Sequence, residues 1–249
     1  MIARNVCFRR KYPEALRRKT VARRTAWLED YVSQILDRNV HDIANIDQPD
    51  RLPRLLNVLA EHSGQLVNHS SFGAALGLSR PTAQKYVAIL ERPFLIRTLA
   101  PWPTNRLSRL VKTPKLHFPD SGLLAALSEE DEEAVKNDRS RSGAILVSFV
   151  FSELLKLSSW SGTRVSFSHY RTKDQDEVGI VIEDRRGRAV GIEAKASATV
   201  RPRDSRGLNQ LQQATGYRFM RGLVLHDHDR VTPFGEKLQA APLSILWSM

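Results

Sequence analysis

The chain has 249 residues, of which 41% are hydrophobic and 26% charged, the composition of an ordinary globular protein with enough apolar material for a core. A single cysteine, Cys7, excludes an intrachain disulfide, and collagen-like and disordered classes are excluded as well. The balance of 38 Lys+Arg against 27 Asp+Glu leaves +11, which favours a polyanionic partner, either nucleic acid or an acidic protein surface.

Met1–Arg24 carries nine bases against Glu14 alone. It reads as a solvated basic arm or as a docking segment for an acidic protein. No apolar run follows these bases, so no signal peptide is predicted. The longest uncharged apolar stretch lies within Ser142–Ser152 and has 11 residues, short of the roughly 20 that a bilayer span needs. A cytoplasmic protein without membrane contact is the expectation.

From Thr25, the residues Trp27, Leu28, Tyr31, Val32, Ile35 and Leu36 recur at helical spacing and predict an amphipathic helix to about Val40. Asp47–Asp50, with Pro49, is a loop. Leu52, Leu55, Leu56, Leu59 and Ala60 line a second helix that stops near Gly64. Ser70 is placed to cap a short helix, Gly77 to end it in the left-handed conformation, and Ser79 to cap Arg80–Glu91. Pro81 falls in the first turn of that helix, where its missing N–H costs little. Three helices with a tight glycine turn between the second and third form a helix-turn-helix.

Phe94–Leu99 alternates as a strand, Pro101–Asn105 turns, and Leu107–Val111 can pair back, which makes the unit a winged helix. The outer helix exposes Arg80, Gln84 and Lys85, and the hairpin adds Arg106, Arg109 and Lys112. From Arg80 to Lys115 there are eight bases against Glu91 alone. This is a candidate DNA-facing surface; packing against another domain is the alternative.

Leu116–Phe118 reads as a strand and Ser121–Leu127 as a helix. Ser128–Asp138 is an acidic run with Glu129, Glu130, Asp131, Glu132 and Glu133, and marks a domain boundary. Gly143–Leu157 is a buried, largely apolar helix. Arg164–Tyr170, Glu177–Glu183 and Ala189–Ala196 are strands, with Asp184–Gly187 a hairpin turn. Leu208–Thr215 is a helix, Gly222–Leu225 a strand, and a helix around Gly235–Ala240 closes the chain. The predicted fold class is α+β: a helical segment (1–48), a winged helix (49–128) and an α/β domain with a mixed central sheet (139–249).

One constellation carries chemistry. In Ile192-Glu193-Ala194-Lys195 the acid and the lysine are two apart and share a strand face. A preceding strand brings Glu177-Val178-Gly179 to the same place. Strand-borne acids followed by acid-x-Lys resemble the restriction-endonuclease-like arrangement. There, carboxylates hold a divalent cation that activates water, and the lysine stabilises developing charge.

The resemblance extends along the chain. Tyr12–Leu16, Trp27–Val40, Leu55–Pro101, Lys112–Phe118 with Asp120–Leu123, and Tyr170–Thr172 take part in it. So do Ile192–Ser197, Asp204 with Gly207-Leu208, and Ala241–Leu243 before Leu246-Trp247. In this order they resemble the C-terminal portion of a prokaryotic family of AAA-type ATP-binding proteins. In that family a P-loop ATPase is followed by a winged helix and a C-terminal domain of unknown function with a restriction-endonuclease-like fold.

The departures from the family bear on function. None of the 13 glycines precedes a lysine, so no P-loop motif is present and ATP is not an expected cofactor. Where the family pattern has an aspartate, this chain has Gly179. Where an acid follows a Leu-Leu-like pair on the buried helix, Val147 follows Ile145-Leu146. Asp176 faces away on a regular strand, and Glu177 lies ~6–7 Å along it from the vacant position. Glu193 with Lys195 is left as a degenerate catalytic pair, read as a salt-bridged remnant. His226 and His228, beside Asp227 and Asp229, read as a polar surface loop or as a two-histidine zinc-binding pair.

The leading expectation is a non-catalytic DNA-binding or ATPase-associated module with no cofactor. One alternative is a metal-dependent DNA nuclease that uses Mg²⁺ at Glu193 and Lys195. Another is a protein-interaction subunit that docks on an acidic partner or an intact ATPase relative. A third is the remnant of a longer gene, because Met1 falls shortly before a stretch that resembles the interior of the family.

Overall fold

The structure, a computed structural model, describes residues 12–42, 48–103, 110–130, 142–196 and 200–247. Helices α1 (Pro13–Arg17), α2 (Val21–Asp42) and α3 (Arg51–Glu61) open it. Leu28, Val32 and Leu36 of α2 pack with Leu52, Leu55, Leu56 and Leu59 of α3, the apolar stripe that the helical spacing predicts. Helices α4 (His69–Leu76) and α5 (Arg80–Glu91) follow. The cap of α4 is Asn68, whose side chain accepts from the Ser71 N–H at 3.1 Å, and not Ser70. Gly77 takes φ +65° and ends α4 as predicted, and Ser79 caps α5 by accepting from the Thr82 N–H at 3.3 Å.

The hairpin pairing differs from the expectation. β1 (Arg97–Leu99) pairs antiparallel with β2 (Lys115–His117); of the expected return strand Leu107–Val111, Leu107–Arg109 lie outside the described residues, and Leu110 and Val111 meet Thr172 and Arg171. On its other side β2 meets Gly64–Val67: Gly64 N–H donates to Leu116 O at 2.7 Å and Leu116 N–H to Gln65 O at 2.9 Å. The described stems of the connection between the strands lie against the edge of the neighbouring sheet. Trp102 N–H donates to His169 O at 2.7 Å, His169 N–H to Ala100 O at 2.9 Å, and Val111 N–H to Arg171 O at 2.9 Å. Both stems of the connection therefore satisfy backbone groups of an edge strand that would otherwise be open.

Helices α6 (Ser121–Leu127) and α7 (Ser142–Trp160) lead into a six-stranded sheet in the order β3-β4-β5-β6-β8-β7. Its strands are β3 (Val165–Arg171), β4 (Glu177–Asp184), β5 (Ala189–Lys195), β6 (Phe219–His226), β7 (Thr232–Pro233) and β8 (Leu238–Pro242). β3, β4 and β5 form an antiparallel meander, β5-β6 and β6-β8 are parallel, and β7-β8 is antiparallel. The closing helix predicted around Gly235–Ala240 is instead strand β8. Its Ala240 and Ala241 are buried on successive positions, a burial that overrides the helical preference of alanine.

α7 covers one sheet face through Ile180, Ile192, Leu225 and Leu243, in a core continuous with that of α2–α6. α8 (Arg206–Thr215) covers the other through Leu208 and Leu211 against Val178, Val181, Phe219 and Val224. By length and composition α7, with 19 residues, is one helix able to cross a membrane. Here Ile145, Phe149, Val150 and Phe151 bury its apolar face in the protein's own core. Protein class and architecture are thus mixed α+β, as the sequence predicts.

Candidate functional site

The β4-β5 ladder runs from Glu183 paired with Ala189 to Ile180 paired with Ile192 and ends there. Past that point the Gly179 N–H has no ladder partner and donates to Glu193 Oε1 at 2.6 Å. Burial pushes the Glu193 carboxyl up to about 7, with the Glu177 charge adding to the rise. The ammonium groups of Lys195 and Lys115 and the Gly179 N–H pull the other way. Glu193 and Lys195 share a strand face as predicted, but no ion pair joins them among the described residues. The direct hydrogen bond to the carboxylate comes from the Gly179 backbone, while Lys195 acts on it by charge and not through an ion-pair contact.

Glu177 is engaged from two sides. Lys115 Nζ contacts Glu177 Oε1, and Arg171 donates to Oε2 at 2.6 Å. Lys115 comes from β2 and is 3% exposed, so it does not belong to the basic outer surface in which the sequence count placed it. Its ammonium contacts Glu177 and also acts by charge on Glu193. Asp176 pairs away from the site with Arg206 at 2.7 Å, as strand parity predicts. The start of α8 lies hard against β4: a β-carbon on Gly207 would sit 1.9 Å from the Glu177 carbonyl oxygen. Val147, the second departed position, faces Gly64 of the helical half and lies 3.9 Å from where a β-carbon on that glycine would be.

Two histidines border this junction. His169 Nε2 donates to Thr113 O at 2.9 Å, and burial lowers its pKa to about 4. His117 is fully buried, packs on Phe151 with ring centroids 4.7 Å apart, and is lowered by burial to about 3. Both are neutral at pH 7. The sequence reading missed Lys115, Arg171, His117 and His169 as neighbours of the site. The one signal for them was the two-residue spacing of Lys115 and His117, which puts both on one strand face.

The candidate nucleic-acid surface divides. Arg80, Gln84 and Lys85 are exposed on α5, and Lys112 is exposed beyond the docked connection. Arg106 and Arg109 lie outside the described residues, as do Arg4, Arg9, Arg10 and Lys11 of the basic arm and Asp131–Asp138 of the acidic run. Trp102 is buried and its Nε1–H donates to Glu183 Oε2 at 2.8 Å. The stems of the connection are therefore interior packing, while the outer face of α5 remains open.

His226 is not on a surface loop. It is the last residue of β6, 2% exposed, and its Nδ1 accepts from the His228 N–H at 3.0 Å. His228 turns to Asp229 at 2.8 Å. Among the described residues no group of three or more His, Cys, Asp or Glu side chains converges as metal ligands. A cavity of about 420 Å³ between α2, α3 and α6, lined by Leu28, Val32, Leu56 and Leu123, lies apart from Glu193 and Lys195.

Comparison with known proteins places the chain in a class. It belongs to the family of the domain of unknown function DUF8612, whose model matches residues 3–134. A second domain of unknown function, DUF4143, matches residues 142–246 and is associated with AAA-ATPase-containing proteins. Among individual relatives, two uncharacterized proteins, one of Mycobacterium tuberculosis and one of Mycobacterium bovis, are each 26% identical over 174 residues. The match covers 70% of this chain and 38% of either relative, so the chain spans well under half the length of the curated proteins it matches. No solved structure matches it.

Proposed function

We propose that this protein is a non-catalytic, DNA-binding module of the kind that works beside an AAA-type ATPase. The observation that carries the reading is the neutralised site. Glu177 is held by Lys115 and Arg171, and Glu193 is bound to the Gly179 N–H. A hydrolytic metal site needs converging, ionised carboxylates. Here the two acids are separately engaged, and burial disfavours the ionised form of Glu193. The mixed sheet with α7 and α8 on its faces is then a restriction-endonuclease-like scaffold whose cation site has lapsed.

The DNA-binding half of the reading rests on α3 to β2. Helix, extended segment Gly64–Val67, helix, Gly77 turn, helix and two strands follow the order of a winged helix, with α5 outermost. Arg80, Gln84 and Lys85 are the groups that would meet a groove, and Lys112 would meet phosphate. The association of DUF4143 with ATPase-containing proteins supports an intact ATPase relative as the protein partner.

The test is a titration of fluorescent duplex DNA at about 50 and 200 mM salt. Binding that weakens with salt, and that falls at least tenfold in an R80S/K85S variant, is expected. No detectable binding at the lower salt would remove the proposal.

A further inference from the structure

The far end of the sheet carries a second charged surface that the reading of α5 does not use. Asp184 pairs in register with Val165, so Arg164 sits beside the β4-β5 turn. Ala189 pairs with Phe219, which brings Tyr217 and Arg218 to the exit of the same turn. A β-carbon on Gly187 would lie 2.9 Å from an Arg218 guanidinium nitrogen, which confirms the closeness. Lys195 lies six residues along β5 from Ala189, about 20 Å away at the strand rise. The surface and the Glu193 region are therefore at opposite ends.

The turn is fixed in shape. Asp184 Oδ1 accepts from the N–H groups of Arg186 and Arg188 at 2.9 Å each, and Arg188 Nε–H donates to Oδ2 at 2.7 Å. Glu183 is held by the Trp102 indole. Both acids are thus committed, while the side chains of Arg164, Arg185, Arg186 and Arg218 have no hydrogen-bond or ion-pair partner among the described residues. Like charges gathered without counter-ions on a rigid turn call for an anion from outside. Beside them Tyr217 is 91% exposed, an aromatic ring that the fold leaves uncovered.

We propose that this end of the sheet binds single-stranded nucleic acid, with Arg164, Arg185, Arg186 and Arg218 on phosphates and Tyr217 stacked on an unpaired base. Guanidinium forks match phosphate oxygens in pairs. An exposed ring beside them takes a base face without reading its identity, and a splayed strand offers such faces where a duplex does not. The surface is independent of α5, so the two bind different forms of nucleic acid.

Anisotropy of the full chain with a labelled oligothymidine of about 15 nucleotides tests it, with a duplex of equal length in parallel. The R185S/R186S/R218S variant is expected to bind the strand at least tenfold more weakly, with a salt slope lower by about 2 for three lost phosphate contacts. Tyr217→Ala is expected to lose about 5- to 100-fold on the strand and little on the duplex. Arg185, Arg186 and Tyr217 are exposed and Arg218 is half-buried, so an unchanged melting temperature is required of each variant, and R185S/R186S is expected to show most of the loss without touching Arg218. The R80S/K85S variant is expected to keep strand binding; its loss of duplex binding is the separate test of the α5 reading. Strand affinity and salt slope that survive the triple substitution would overturn the proposal. So would retention on phosphatidylserine vesicles without binding of the strand.

Discussion

Replacing Lys115 with methionine keeps most of the length and volume of the side chain and removes its ammonium, charge and hydrogen-bond donors together. The Lys115 side chain is 4% exposed, and that of its partner Glu177 is 29% exposed with Arg171 as a second cation. Deleting one member of a fully buried pair costs about 3–5 kcal/mol; with Arg171 still in place and Glu177 open to water on one side, about 2 kcal/mol is expected. At about 2.1 cal/mol/K per residue, a chain of this size has an unfolding entropy near 0.5 kcal/mol/K, so the melting temperature should fall by about 4 °C. Urea unfolding of K115M, E177Q and the double variant completes the cycle. The double variant should be less destabilised than the sum of the singles by about 1–2 kcal/mol. Duplex affinity should not change in K115M, because the lysine is interior. A K115M protein within about 0.5 kcal/mol of the parent, with additive singles, would refute the reading of Lys115 as the buried partner of Glu177.

Gly207→Ala should be the costliest glycine substitution tested, about 3 kcal/mol or more by urea unfolding, because its β-carbon meets the Glu177 backbone. Gly77→Ala, with φ +65° but open space around it, should cost only about 1 kcal/mol, and the reverse order would contradict the packing of α8 on β4. Loss of the α5 cap in Ser79→Ala should cost about 1 kcal/mol and leave the far-UV spectrum intact. His117 and His169 titrate at about 3 and about 4 in the folded chain, below the ordinary 6.5. The unfolded chain therefore takes up their protons first. Their contribution is complete above pH 6.5 and declines below it, by up to about 1.4 kcal/mol per pH unit for each, until the folded values are reached. Glu193, raised to about 7, acts in the opposite sense between about pH 7 and 4.5 and offsets about one of the two histidines, so a net fall remains expected and a urea midpoint that rises or stays constant from pH 8 to pH 5 would argue against neutral buried imidazoles.

Local signals were legible where the physics is local. The apolar stripes of α2 and α3, the Gly77 turn, the Ser79 cap and the Asp184–Gly187 hairpin are all written in neighbouring residues. What the sequence hid depends on distant partners. Leu107–Val111 was a reasonable return strand for β1 by spacing, yet Val111 bonds Arg171, and β1 takes Lys115–His117 instead. Gly235–Ala240 has helical composition, and only its neighbours β6 and β7 make the segment from Leu238 a strand.

The site was half legible. Strand parity placed Glu193, Lys195, Glu177 and Asp176 correctly with respect to one another. Nothing in the spacing showed that a lysine more than sixty residues upstream would neutralise Glu177, because ion pairing across the fold leaves no periodic trace. The basic count erred for the same reason: it treated Lys115 as surface because charge is usually exposed.

The most direct measurement is a native gel of labelled duplex with the full chain, run after incubation with Mg²⁺ or Mn²⁺. The account predicts retarded, uncut DNA, with retardation lost in the R80S/K85S variant. Cleavage that disappears in Glu193→Ala would contradict it, because that result requires a working cation site where the structure places an engaged acid and a lysine.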